Sequence, residues 1–536
     1  MVQAIRLSAV KLKAVTLFKS ASIITAFTLL SRITGLVREQ LMATLFGASS
    51  MTDAFNVAFR LPNMFRRLFA EGAFSQAFVP VLGQSKVNDG DTATHQLVSR
   101  VATVLFCVLV LTCIIGVVAA PVLVWIMASG LQQDPRGFEA GVLMARWMFP
   151  YIGFMSLVAL GAGVLNTYKK FAVPAFTPVL LNVCMISAAW LGAPWFKSLG
   201  IEPIYAMAAG VMLGGLLQLA MQLYALSKIG MSPELNFSAS GIRSAWADAG
   251  VRRVATLMLP ALLGVSVAHI SAIINLQIAS HLQAGSISWM GYAERFMEFP
   301  TALLGVALGV VLTPRLVAAK ASNDAAEYSA MIDWGLRLVV LLAVPCTVAL
   351  LLFAKPLVAT LYHYGVFSNH DVNQVTTPLM GYAVGLIGLI AIKILAPGFY
   401  ASQDMKTPVK IAIAVLIITQ LLNLVLVPIF AHAGLALSIG LGALINALWL
   451  LIGLIRRGSY QPVGGWGKFI SQVLFASALL AGFLWFANQH FDWTGLRSDI
   501  WMRIVLLSGV ITASIAIYFV AIVATGVNLK ALLKRQ

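Results

Sequence analysis

Charge is scarce in this sequence. Lysine, arginine, aspartate and glutamate make up only 10% of its 536 residues, against roughly a quarter in soluble globular proteins. That shortage excludes an ordinary water-soluble enzyme. With 60% hydrophobic residues and a mean hydropathy of +0.90, the composition is that of a polytopic membrane protein. Cysteine is scarce too. Cys107, Cys113, Cys184 and Cys346 lie in apolar runs without a CxxC pair, which reads as packed, reduced thiols rather than a disulfide framework. The sequence has no GxxxxGK(S/T) phosphate loop, HExxH motif, GxSxG elbow or tight His/Cys cluster. ATP hydrolysis by a phosphate loop, zinc chemistry and serine hydrolysis therefore have no residues to run on, and no cofactor or metal is expected. There is also no large soluble domain.

What the chain has is apolar length. A helix needs about 20 mostly apolar residues to cross the hydrocarbon layer. About fourteen such segments occur, near 22–46, 53–82, 97–128, 141–167, 173–195, 203–227, 254–282, 290–317, 330–353, 373–400, 409–430, 434–455, 469–488 and 501–526. The stretch "KPLVATLYHYGVF" between the ninth and tenth suits a short interfacial helix. Arg6, Lys11, Lys13 and Lys19 precede the first run like a signal-peptide leader, but that run holds two arginines and no clear cleavage site. It reads as an uncleaved first membrane helix.

The net charge of +17 does not point to nucleic acid, because the basic residues sit in short tracts between apolar runs and no nucleic-acid-binding module is visible. One set of loops carries Lys86, Lys169, Lys170, Arg243, Arg252, Arg253, Lys320, Lys406, Arg456 and Arg457; the other carries little beyond Arg136, Lys197 and Arg497. The first set is then cytoplasmic, and both termini with it. An even number of spans follows.

Two echoes suggest an internal repeat. "FNVAFRLPNMF" in the second segment resembles "AERFMEFPTAL" in the eighth, and "NTYKKFAVPAFTPV" has a shorter counterpart in "GFYASQDMKTPV". Both pairs lie about 230–240 residues apart with six segments between them, as in parallel-repeat transporters. The expected architecture is all-α, with two pseudo-symmetric six-helix lobes (1–230 and 231–457) and two extra C-terminal helices (458–536).

Charges inside these segments demand a reason. An arginine at mid-membrane costs roughly 2.5–3.5 kcal/mol on insertion scales and usually faces a bundle interior or a watery cavity. Here such residues cluster. The first segment has Arg32, Arg38 and Glu39; the second has Asp53, Asn56, Arg60, Asn63, Arg66, Arg67 and Glu71; the eighth has Glu294, Arg295 and Glu298. Positions 53, 56, 60, 63, 67 and 71 step by three or four and share one helical face, which predicts a wet stripe along a cavity. Ser288, Tyr292, Arg295 and Glu298 repeat that pattern on a smaller scale. Arg67 and Glu71 are spaced as an i,i+4 pair, so local ion pairing is the competing reading. Guanidinium groups still outnumber carboxylates, and their planar fork of donors matches a diphosphate. The arginines are not spaced every third residue along one helix, as a voltage sensor requires. Pro62, Pro174, Pro178, Pro260, Pro300 and Pro397, with Gly35, are candidate bending points.

These residues carry a resemblance. "SRITGLVRE", "TDAFNVAFRLPNMFRRLFAEGAFSQAFVPVL", "SWMGYAERFMEFP" and "KILAPGFYASQDMKTPVKIA" are similar to the MurJ/MviN lipid II flippases over about residues 22–457. The resemblance implies a fold of the multidrug/oligosaccharidyl-lipid/polysaccharide exporter class, alternating access, and lipid II as substrate, in the bacterial inner membrane. It implies substrate binding by Arg32, Arg38, Arg66, Arg295, Asn63 and Ser288. Asp53, Glu39, Glu298, Arg60 and Arg67 would gate or balance charge. Lipid II, the bilayer and the cell-wall synthesis machinery would be its partners, and the carrier a monomer without covalent chemistry. One departure stands out. The carboxylate that some relatives use for sodium in the second lobe has no counterpart in segments ten to twelve, which leaves potential or proton coupling open. Export of another polyprenyl-diphosphate oligosaccharide, or a membrane enzyme acting on such lipids, are the alternatives.

Overall fold

A computed structural model describes residues 2–66 and 74–529, apart from the side chains at 2–22, 65, 66, 259–268, 306, 307, 310 and 311. The described residues are helices and short turns, with no strand among them. They divide into two compact units, Met1–Ala284 and Gly285–Gln536.

The first unit opens with α1 (Val2–Phe46), α2 (Ser50–Arg66), α3 (Phe74–Asn88) and α4 (Gly90–Val118). It continues through α5 (Ala120–Ala128), α6 (Pro135–Met148), α7 (Tyr151–Thr167), α8 (Ala172–Ser187) and α9 (Ala193–Ser198). It closes with α10 (Tyr205–Ser227), α11 (Ala239–Ala247) and α12 (Ala249–Ser280). Its core is built from one apolar stripe per helix. Phe74, Phe78 and Leu82 of α3 meet Val98 and Ala102 of α4, Leu160 and Val164 of α7, and Val251 and Val254 of α12. A stripe recurring every three or four residues is what a helix needs to bury one side. α12 belongs to this first unit, packing on α3 and α5.

The second unit contains α13 (Ser286–Pro300), α14 (Ala307–Ala321), α15 (Ala325–Leu352), α16 (Ala354–Tyr362) and α17 (Asn369–Val384). α18 (Leu386–Ala401), α19 (Lys406–Phe430), α20 (His432–Arg456), α21 (Trp466–His490) and α22 (Ile500–Ala524) complete it. Glycine sets its closest packing. A Cβ on Gly385 would lie 2.3 Å from Cα of Gly440, so the α17–α18 junction meets α20 backbone to backbone. Small residues permit this approach where apolar lipid supplies no drive for helices to associate. Outward faces are apolar instead: Ile417, Leu421 and Leu424 of α19 are all exposed, as hydrocarbon-facing side chains should be.

Ten helical stretches among the described residues are long and apolar enough to cross a membrane. The other four expected spans fall on α1, on α2 and α3, on α12, and on α13 with α14, with residues 67–73 of the second lying outside the described residues. Ten of the expected segments qualify as spans by length and composition among the described residues. The nine-residue α16 occupies the expected short helix after the ninth segment. Proline acts as anticipated at Pro300, where α13 gives way to a π-helical turn over Thr301–Val306 before α14 resumes. Gly35, by contrast, lies inside the unbroken α1.

Candidate functional site

In the first unit, α1 packs lengthwise on α8. Arg38 of α1 is buried, 8% exposed, and its position is set from both sides. Nη1 donates to Oδ1 of Asn182 on α8 at 3.0 Å, and Nη2 pairs with the carboxylate of the neighbouring Glu39. Asn182 is itself aimed by α1: its Nδ2 donates to the Ser31 carbonyl at 2.9 Å and to Thr34 Oγ1 at 3.2 Å. One amide thus reads the backbone of α1 and presents its oxygen to a guanidinium one turn further on. Nη1 also reaches the Met185 sulfur at 3.7 Å. A guanidinium carries five N–H donors, so these three acceptors leave capacity for an anion.

Arg32, less than two turns earlier, is exposed and makes no hydrogen bond or ion pair with another described residue. On α2 the polar stripe is graded rather than uniformly wet. Asp53 is buried at 3%, Asn56 and Asn63 are half-buried, and Arg60 is exposed. Asp53 lies in the first turn of α2, where a carboxylate favours the positive end of the helix dipole. The opposite side of α2 carries Ala54, Phe55, Val57, Ala58 and Leu61, all buried where α2 meets α6 and α7. Arg66 ends α2, and its side chain is not among those described; Arg67 and Glu71 lie outside the described residues.

In the second unit, Arg295 and Glu298 of α13 form an i,i+3 pair, Nη1 to Oε2 2.9 Å, with side chains 37% and 47% exposed. Ser288 and Tyr292 sit two turns and one turn earlier on the same helix but are buried, at 1% and 3%. Tyr292 packs its ring against Tyr362 and Phe367. The α13 stripe therefore divides: its first half belongs to aromatic packing, and its second half is open and charged.

The structure thus joins Arg38 with Glu39 and Arg295 with Glu298, each within its own unit. Sequence reasoning missed Asn182. The available signal was a lone amide in the apolar run "PVLLNVCMIS", which asks for a polar partner by the same argument applied to the arginines. It also missed Asp333 of α15, buried at 2%. Asp333 receives Arg337 Nε at 2.7 Å, the Tyr460 hydroxyl at 2.8 Å, the Val463 amide at 3.1 Å and Trp466 Nε1 at 2.7 Å.

The family model described as lipid II flippase MurJ matches residues 42–506. The chain is 52% identical over 503 residues to the lipid II flippase MurJ of Burkholderia cenocepacia, covering 94% of this chain and 96% of that protein. It is 37% identical over 522 residues to the probable lipid II flippase MurJ of Vibrio cholerae, covering 96% and 97%. Among solved structures, a lipid II flippase MurJ in an inward closed conformation superposes with a TM-score of 0.74 at 21% identity, covering 93% of this chain and 97% of that one. An inward-facing multidrug resistance MATE family transporter superposes with a TM-score of 0.65 at 12% identity, covering 82% and 98%, which is a likeness of fold. Helix by helix and over nearly its whole length, the chain belongs to the MurJ family of lipid II flippases.

Proposed function

We propose that the protein moves lipid II, the undecaprenyl-diphosphate-linked peptidoglycan precursor, from the cytoplasmic to the periplasmic leaflet of the bacterial inner membrane. It does so by alternating access, as a transporter without a covalent step. Both termini lie in the cytoplasm, as the distribution of lysine and arginine among the loops implies. The protein works as a monomer beside the cell-wall synthesis machinery.

The observation that carries this reading is the placement of guanidinium groups on α1, α2 and α13 in a chain of this family. Arg32, Arg38, Arg66 and Arg295 bind the diphosphate, and Asn63 joins them on the family likeness. Ser288 joins the set on the family likeness alone. Arg38 is held in place in advance by Asn182 and Glu39, so little side-chain entropy is lost when a phosphate oxygen arrives. Arg295 sits in a half-exposed pair. Such pairs contribute about 0–1 kcal/mol, so exchanging Glu298 for a diphosphate oxygen costs little. Asp53, Glu39, Glu298, Arg60 and Arg67 balance charge when the site is empty.

The test is translocation of lipid II by the purified protein in vesicles, with and without an imposed membrane potential. Moving one charge through 100 mV supplies about 2.3 kcal/mol, enough to bias a two-state carrier. Translocation of lipid II that stops in Arg295→Ala supports the reading. Conversion of lipid II to a new product would point to enzymatic chemistry, and selective transport of a different polyprenyl-diphosphate oligosaccharide would reassign the substrate.

A further inference from the structure

Arg503, in the first turn of α22, and His363, in the turn after α16, are buried polar side chains that the transport reading does not use. Arg503 is 0% exposed and His363 is 1% exposed. The two are neighbours: Arg503 Nη2 donates to the His363 carbonyl at 3.3 Å, and the guanidinium lies 4.7 Å from the ring centre of Tyr364. Yet Nε and Nη1 of Arg503, and both ring nitrogens of His363, have no hydrogen-bond partner among the described residues. No carboxylate there forms an ion pair with Arg503.

The surrounding charges do not settle the account. Arg497, just before α22, adds a second cation and donates to the Gly365 carbonyl. The carboxylate facing His363 is Asp371 at the start of α17, and its oxygens are already engaged. Oδ1 accepts Trp289 Nε1 at 2.8 Å, and Oδ2 accepts the Ser368 amide and hydroxyl at 2.8 and 2.7 Å. Burial, with Arg497 and Arg503 nearby, pushes the His363 imidazole down to about 4. It is therefore neutral at pH 7 and presents one N–H. Arginine cannot shed its proton to escape burial, and a buried charge lacking a partner is strongly destabilising. Arg503 Nε and Nη1 and the His363 N–H thus lie enclosed in neighbouring residues with no hydrogen-bond acceptor assigned among the described residues.

We propose that Arg503 and His363 hold a small monovalent anion of halide size, chloride foremost, which fastens α22 to the 363–365 turn. Size follows from enclosure: every unpartnered nitrogen is shut off from solvent, which disfavours a bulky, strongly hydrated oxyanion. Charge follows from two arginines against one engaged carboxylate.

The experiment uses the full-length protein purified in detergent. Melting temperature is followed as chloride replaces gluconate at constant ionic strength, and crystals grown in bromide are searched for an anomalous peak. The expected result is a saturable upward shift of several degrees with chloride, as ligand binding to the native state requires. The bromide peak should lie within contact distance of Arg503 Nε or Nη1. Arg503→Gln should abolish the shift. If that variant does not fold, His363→Gln should raise the chloride midpoint about tenfold while retaining the fold. A wild-type protein indifferent to chloride, an equal shift in the variants, or stabilisation by sulfate but not chloride would each overturn the proposal.

Discussion

Two arginine–carboxylate pairs, one in each unit, show what intramembrane charge means. Asp333, paired with Arg337, is heavily engaged. Asp333 accepts four hydrogen bonds, and the Arg337 guanidinium lies 4.9 Å from the ring centre of Trp466 and 5.5 Å from that of Phe469. Their partners come from α15, from the 460–463 segment and from α21, so the pair locks the C-terminal helices onto the second unit. Arg38 and Glu39 are adjacent on one helix, and Arg38 reaches Asn182 and Met185 of α8. The first arrangement saturates its carboxylate with donors from α15, the 460–463 segment and α21, and is architectural. The second ties a guanidinium to α8 alone and leaves donors to spare. Charge in a membrane helix is thus not itself a sign of function; what separates the two cases is how many elements the charged group fastens together.

The sharpest way to break that comparison is to remove one charge of each kind and ask which property fails. Arg295→Ala should abolish lipid II translocation in vesicles while the melting temperature barely moves, because its half-exposed pair with Glu298 contributes about 0–1 kcal/mol. Unimpaired flipping by Arg295→Ala would end the diphosphate role. Asp333→Ala should do the reverse. It strands a partly buried guanidinium and several donors, at about 3–5 kcal/mol. The folded yield and melting temperature fall, while protein that does fold flips lipid II at near the normal rate. Loss of flipping at unchanged stability would move Asp333 into the transport machinery.

A smaller effect sharpens the α1 side. Asn182→Ala removes the group that aims Arg38, at about 1 kcal/mol for one hydrogen bond. Half-maximal lipid II concentration should rise up to tenfold with a much smaller change in melting temperature than Asp333→Ala. Asn182→Gln should not rescue it, since the longer side chain cannot reach Ser31 O and Arg38 together. An unchanged concentration dependence would leave Asn182 a packing residue only.

The sequence exposed much of the helical order, because a run of about 20 apolar residues has few other uses. Ten of the expected segments are helices long and apolar enough to span, and the break at Pro300 falls where proline forbids a regular turn. Arg38, Arg295 and their acidic neighbours were visible as charges out of place. Asn182 was not, because its meaning depends on a contact 144 residues away. The wet face assigned to all of α2 was too simple: periodicity places Asp53 on the polar face, but the packing of α2 on α6 and α7 leaves it buried. Arg503 escaped notice because a basic residue near the end of a span reads as snorkelling, and only coordinates reveal it fully enclosed.

The smallest expected effect is a control for the rest, and it lies outside the spans. Asp404, in the turn between α18 and α19, accepts the Thr407 amide at 3.0 Å and pairs with Arg457, which also donates to Thr407 Oγ1 at 2.7 Å. The Thr407 hydrogen bonds, with Arg457 behind them, hold this carboxyl well below the ordinary carboxylate range. A carboxyl depressed in the folded state adds stability above its unfolded value of about 3.9, and loses it as pH falls through the folded value. Acidification from pH 5 downward should therefore erode melting temperature slightly less in Asp404→Asn than in the parent, while the two flip lipid II equally at pH 7. The effect stays small because solvent screens the pair. Equal acid sensitivity would mean the Asp404–Arg457 contact contributes nothing. A flipping defect would show that a fully satisfied surface charge also serves transport, and the rule drawn from Asp333 and Arg38 would fail.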